Sequence, residues 1–249
     1  MTTRRAIELD ERIVGGLRVL IDTAAERDGL VVAFSDRSGG ISRAPYDSLN
    51  LGARVGDDFA SVSENRRRLG AALGFAPGDL AVARQIHGAD AIEVGAGPFP
   101  ASCGDADVLH TRSSGTALAI LTADCTPVVV AGEMGVAIAH AGWRGLVAGA
   151  IERALEVVGP VSSAWVGPSI RSCCYEVGPE VIEAFSAAGL PVAGPDRVDP
   201  GEASVAVLER SGTGSIAFAG VCTHCDERYF SYRRDGVTGR QAGLVMKLP

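Results

Sequence analysis

Residues 118–145 read LAILTADCTPVVVAGEMGVAIAHAGWRG. Around and within this stretch lie three apolar runs, 117–122, 127–131 and 135–140, separated only by short polar breaks. Each run has the length and composition of a strand. No helix-length segment separates them, as the successive strands of a doubly wound parallel sheet would require. The stretch therefore points to α+β, a mixed α/β sandwich. The runs end on reactive side chains. Cys125 follows the first and His140 closes the third. Three readings are open: core filler, a cysteine-hydrolase pair, or two ligands of one metal.

Outward from this centre, residues 145–158 predict a helix, with Leu146, Val147, Ala150, Ile151, Ala154, Leu155 and Val158 at a 3.6-residue period. Residues 30–34 read as a strand leading into the polar, Gly-rich loop SDRSGGISRAPYDSLNLG, and loops this long are more often functional than idle. Asp58 is placed to cap a helix that carries Val62, Leu69 and Leu73 on one face. Strands follow at 80–83 and 162–166. Pro179 opens a helix with Val181, Ile182 and Phe185 inward. The tail ERYFSYRRDGVTGRQAGLVMKL reads as a turn between two short strands. No shift in composition marks a linker, so the expectation is one domain over 1–249, with residues 1–15 as an N-terminal arm.

The 249 residues are 47% hydrophobic, enough for a substantial core. A net charge of −7 lacks the basic footprint of a nucleic-acid protein. No apolar run approaches the ~20 residues of a membrane helix, and the N-terminus lacks an apolar signal core. Six irregularly spaced cysteines do not form a secreted disulfide framework. The expectation is a cytoplasmic protein with neither nucleic-acid nor membrane partners.

Only four histidines are present: 87, 110, 140 and 224. His87 (in RQIHGAD), Cys125 and His140 all stand where strands run out into loops, positions from which a rigid strand aims an accessible side chain. One Cys and two His are zinc ligands in kind, and three protein ligands leave a fourth position for water, as in catalytic sites. Each residue alone also has a plain packing role. GWRG, with two glycines, a helix start and Arg144, outlines an anion site; Arg66, Arg37 and Asn50 stand ready to contribute, whereas Arg67 and Arg68 read as solvated charges. Asp124, beside Cys125, and Glu176 are the candidate proton carriers. Tyr175 and Phe230 read as packing residues, with stacking on a base as the alternative. His110 is expected at the surface. CTHC, Cys222 to Cys225, is half of a structural zinc site with no second half nearby in sequence, and Cys173 and Cys174 are awkward partners for each other. These four read as ordinary thiols.

Several separated motifs, SLNLG, VGDD, ENR, QIHG, TADCTPV, AHAGWRG, GPSI, YEVG and FSYRRDG followed by TGR, occur in one order along nearly the whole chain. In this the chain resembles the YfiH (DUF152) family, the laccase-domain, FAMIN-like purine nucleoside phosphorylases also labelled polyphenol oxidases. The resemblance implies a single-domain sandwich of the CNF1/YfiH-like type and a catalytic Zn2+ bound by His87, Cys125 and His140. It implies purine nucleosides and phosphate as substrates: phosphorolysis of adenosine, inosine, guanosine and methylthioadenosine, and deamination of adenosine by metal-bound water. Asp124 would then serve the catalytic group, and Asn50, Arg66 and Arg144 would hold phosphate or ribose. An alternative within the same resemblance is a cysteine-type amidase that edits peptidoglycan peptides, with Cys125 as nucleophile and His140 as base. A true multicopper laccase needs a trinuclear, histidine-rich cluster that four histidines cannot supply, although copper in a His₂Cys site would give weak oxidase activity in vitro. Cys173, Cys174 and Cys225 fall outside the family pattern.

Overall fold

A computed structural model describes residues 8–249. Twelve strands form two six-stranded sheets among the described residues. They are β1 (Asp10–Val14), β2 (Leu17–Ile21), β3 (Leu30–Ser35), β4 (Leu80–Val82), β5 (Ala91–Glu93), β6 (Val108–Thr111), β7 (Ala117–Thr122), β8 (Thr126–Gly132), β9 (Gly135–Ala141), β10 (Val161–Val166), β11 (Ser215–Phe218) and β12 (Gln241–Lys247). The first sheet runs β1-β2-β3-β12-β7-β4 and the second β11-β10-β8-β9-β6-β5. Pairing is antiparallel except at β4–β7, β5–β6 and β10–β11, so both sheets are mixed, and the fold is a mixed α/β sandwich.

The unbroken apolar runs have a simple cause: both faces of each sheet are covered. In β7, Leu118 and Ile120 point between the sheets and Ala117 and Ala119 point outward. In β9, Val136 and Ile138 point between the sheets, while Ala137, Ala139 and Ala141 face the helices. Phe34, Leu118, Ile120, Val129, Ile138, Trp165 and Val245 fill the space between the two sheets. The small alanines let α4 (Ala150–Val158) lie close on β9 through Ala150, Ile151 and Ala154. α5 (Pro179–Ala187) and α6 (Pro200–Arg210) complete that outer layer. α2 (Phe59–Leu73) covers the opposite outer face with Leu69 and Leu73, its start capped by Asp58, whose carboxylate accepts from the Ser61 N–H at 2.9 Å. α1 (Thr23–Arg27) is a short turn capped by Asp22.

Three local expectations change. Residues 145–158 are two helices, α3 (Trp143–Ala148) and α4, because Gly149 takes a left-handed conformation (φ 86°) and closes α3 through bonds to Gly145 and Leu146. The tail contributes one strand, β12; its first half is instead the single helical turn α7 (Tyr232–Asp235), capped by Ser231. Within the expected arm 1–15, residues 10–14 form β1, paired to β2 across a two-residue turn, while the part of that expectation on residues 1–7 lies outside the described residues. The Gly-rich loop after β3 is sewn down by the buried Asn65, whose amide donates to Ser42 Oγ, Ser48 O and Asn50 O and accepts from the Ile41 N–H. No described helix is long and apolar enough to cross a membrane.

Candidate metal centre

The chain crosses from the first sheet to the second at Ala123-Asp124-Cys125, between β7 and β8. Asp124 makes the corner with φ 96°, a left-handed conformation that a non-glycine residue holds only when fixed by its surroundings. Its two carboxylate oxygens accept from Thr223 Oγ1 and from the Arg233 N–H, each at 2.7 Å. The corner delivers Cys125 beside the end of β9, where His140 sits opposite Pro127 in the ladder. His87 arrives from the loop after β4, also left-handed at φ 63°. One candidate ligand atom from each of His87, Cys125 and His140 lies within 4.8 Å of the others. The two imidazoles meet edge to face at 4.8 Å between centroids. His140 is buried, Cys125 half-buried and His87 exposed, so the group opens on one side.

Behind this group stands Asp107, which the sequence did not single out. It is fully buried, accepts at 2.8 Å from His140 Nδ1, and collects the N–H groups of Ile86, His87 and Gly88 at 3.1, 2.9 and 2.7 Å. It thereby turns His140 Nε2 toward Cys125 and holds the His87 loop. Nothing in GDADVL marks it; the only available signal was the general need of a buried ligand histidine for an orienting carboxylate. Gly142, from the GWRG motif, is needed for space. A Cβ there would lie 2.8 Å from Cys125 Sγ and 3.5 Å from His87 Cδ2.

The electrostatics match. Burial alone would push the Cys125 thiol up, but His140, then His87, outweigh it and bring it down to about 6. Burial would likewise depress His140, but the Cys125 sulfur and the Asp107 carboxylate raise it to about 9. Burial would raise Asp107, yet His140 and the surrounding N–H groups hold it below the usual carboxylate range. Each group thus favours the charged form of the other, the arrangement of a thiolate–imidazolium pair.

The three residues line a cavity of about 600 Å³. Its wall carries six arginines, Arg54, Arg66, Arg84, Arg144, Arg233 and Arg240, against one carboxylate, Asp124. Trp143, Tyr175 and Tyr232 supply aromatic surface, with Arg144 over Trp143 at 4.2 Å and Arg233 over Tyr175 at 4.8 Å. Arg84 pairs with Asp105, and Arg66 Nε and one terminal nitrogen donate to Leu51 O at 3.0 and 2.8 Å. Arg233, Arg240 and Arg54 were not picked out from the sequence, because their places in the wall depend on distant loops meeting.

Several expected roles move. Asn50 is fully buried, does not line the cavity, and spends its amide on Gly52, Asp57 and the Arg240 N–H, so it shapes the loop instead of touching a substrate. Arg37 bonds Asp47 and stacks on the buried Phe230, away from the arginine-lined wall. Asp124 lines the cavity, but with both oxygens engaged it is a corner brace and a poor proton carrier. Glu176 is exposed, faces Arg197 at 3.9 Å and does not line the cavity. α3 is only six residues long, so the anion-binding charge of this wall rests on its arginines. His110 is half-buried in β6 and not fully at the surface. Cys222 and Cys225 of CTHC do have neighbours of their own kind: Cys173, Cys174, Cys222 and Cys225 gather in one place. Neither His110 nor His224 joins a candidate metal group among the described residues.

A family model described as multi-copper polyphenol oxidoreductase laccase matches residues 31–247. A protein of Escherichia coli named purine nucleoside phosphorylase YfiH is 37% identical over 242 residues, spanning 92% of this chain and 98% of its own. A Streptomyces coelicolor protein named purine nucleoside phosphorylase is 41% identical over 232 residues, 88% of this chain and 96% of its own. Among solved structures, YlmD from Geobacillus stearothermophilus is similar with a TM-score of 0.85 at 31% identity, covering 97% of this chain and 99% of its own. A DUF152 protein of Neisseria meningitidis is similar with a TM-score of 0.79 at 31% identity, covering 89% and 95%.

Proposed function

The chain belongs to the laccase-like YfiH/DUF152 family, and from that premise we propose that it is a metal-dependent purine nucleoside phosphorylase. The observation that carries the proposal is the cavity itself: six arginines and three aromatic rings around a Cys-His₂ set, in a protein of net charge −7. That wall suits a planar base and a phosphate anion together. In the reaction, a phosphate oxygen attacks ribose C1′ as the C1′–N9 bond breaks. The proton of hydrogen phosphate ends on the departing base. Adenosine, inosine, guanosine and methylthioadenosine share that bond and are the proposed substrates.

His87, Cys125 and His140 would hold Zn2+. Ligand atoms at about 2.0–2.3 Å from one tetrahedral ion lie roughly 3.3–3.8 Å apart, and the candidate atoms here all lie within 4.8 Å of one another. The donor set is also right for zinc, and Asp107 supplies the orienting partner such a histidine needs. When bound, the ion supplies a Lewis acid to the cavity. Arg144 and Arg240 line the cavity, where their charge would fix phosphate and neutralise it for attack. Tyr175 and Trp143 flank the base. Deamination of adenosine belongs to the same reading but ranks second, since it needs a proton carrier and the wall's one carboxylate, Asp124, is engaged twice. The copper of the family label would find a His₂Cys set but no histidine cluster for a trinuclear centre among the described residues.

The test is release of free base and ribose 1-phosphate from inosine and adenosine, with and without phosphate and before and after chelation. Arg144→Ala should raise KM for phosphate more than for nucleoside. Base release independent of phosphate would overturn the proposal. A second reading has its own observation: Cys125, His140 and Asp107 stand in the order of a nucleophile, base and orienting acid, as in a cysteine amidase. It requires turnover of an amide by metal-free protein and its loss on alkylation of Cys125.

A further inference from the structure

Next in sequence to Tyr175 of the cavity wall, two short segments meet. Cys173 and Cys174 lie in the turn after β10, and Cys222 and Cys225 in the CTHC turn after β11. Cys225 Sγ is 3.2 Å from Cys174 Sγ and 3.7 Å from Cys173 Sγ, and all four sulfurs lie within 4.8 Å of one another. We propose that these four cysteines form a second, structural metal site that binds one zinc ion as a tetrathiolate.

Three features favour a metal over disulfides. A disulfide holds its sulfurs about 2.05 Å apart, whereas zinc at about 2.3 Å from each sulfur sets them roughly 3.8 Å apart. The separations of 3.2 and 3.7 Å lie well beyond the first value and near the second. One sulfur, Cys225, approaches two others at once, which suits a shared ion and not a pair. Both backbones are also fixed without any help from the sulfurs. Arg197 donates to Ser172 O and Cys173 O at 3.1 and 2.9 Å, and the Ser172 N–H donates to Asp199. On the other side the Thr223 N–H donates to Ser169 O at 3.0 Å, and Arg234 donates to Thr223 O and His224 O. The cluster is therefore held ready. Four protein ligands leave no open position, so the ion would be structural.

Its place gives it a use. One segment continues into Tyr175 of the cavity wall, and the other carries Thr223, which braces Asp124 at the corner before Cys125. Zinc here would tie the two segments together and so fix that wall. The proposal does not depend on the nucleoside reading.

The experiment counts metal in the full chain purified under reducing conditions, by mass spectrometry, alongside cobalt substitution. The Cys125→Ser variant, impaired at the first centre, should keep about one zinc per chain and give the intense visible absorption of thiolate-rich tetrahedral cobalt. Adding Cys173→Ser and Cys225→Ser should abolish both. If that triple variant does not fold, alkylation of the wild-type chain decides: the four cysteines should be protected with zinc and modified once it is chelated. A Cys125→Ser chain without zinc, a Cys174–Cys225 disulfide found by peptide mapping, unprotected cysteines, or an iron–sulfur spectrum would each overturn the proposal.

Discussion

Asp107 stands 2.8 Å from His140 Nδ1 while accepting the backbone N–H of His87 at 2.9 Å. One buried carboxylate thus positions two residues from different parts of the fold, His87 in the loop after β4 and His140 in β9. Asp107→Asn keeps the size but loses the charge, and its amide nitrogen would face N–H donors. Zinc affinity should fall ~10–100-fold, as for other orienting partners of ligand histidines. Competition with a chromophoric chelator measures it; an unchanged affinity would show that Asp107 serves only packing.

Gly142→Ala tests the close approach from the other side. The backbone there has φ −70°, open to any residue, so the added methyl acts through space alone. It would press on Cys125 Sγ. Zinc binding and phosphorolysis should both drop sharply while thermal unfolding of the metal-free protein moves little.

The thiolate–imidazolium pair has a pH signature best read chemically. Cys125 is lowered from 9.0 to about 6, so its contribution to stability grows as pH rises from about 6 to 9 and is lost on acidification through about 6. His140 is raised from 6.5 to about 9, so its contribution is complete below 6.5 and is lost as pH rises through about 9. The two slopes oppose each other between 6.5 and 9, and unfolding is nearly blind to the pair. Alkylation of Cys125 in metal-free protein, followed by peptide mapping, is not. Its rate should reach half-maximum near pH 6, and His140→Ala should return the midpoint to 9 or above. A midpoint near 9 in the wild-type chain would refute the ion pair.

Asn65→Ala removes four hydrogen bonds from a residue with no exposed surface. Each buried group left without a partner costs ~1–3 kcal/mol. The loss of stability should exceed that of an ordinary surface substitution several-fold in urea unfolding, and the loop between β3 and α2 should gain hydrogen exchange.

The sandwich was legible because β7, β8 and β9 follow without a helix between them, and Cys125 and His140 stood out because each closes one of these runs. Asp107 was not legible, since its significance comes from a loop and a strand separated from it in sequence. The four-cysteine cluster was hidden for the same reason: its halves lie 52 residues apart at the outermost cysteines, and only the parallel pairing of β10 with β11 brings them together. Asn50 was misread because polarity in a Gly-rich loop looks the same whether the amide meets a ligand or the loop's own backbone. The break at Gly149 was masked by an apolar period that continues through it.

The first sheet has at its middle the strand that is made latest. β12 lies between β3 and β7, bonded to both. During synthesis, β3 and β7 wait for their shared neighbour until residue 247 has left the ribosome, and such distant pairing is slow to form. The corner that carries Cys125 hangs from the end of β7. A nascent or truncated chain therefore exposes two sticky strand edges and holds its reactive thiol unaligned, so chaperone demand during translation should concentrate on this sheet, and competence for chemistry should arrive only with the completed strand.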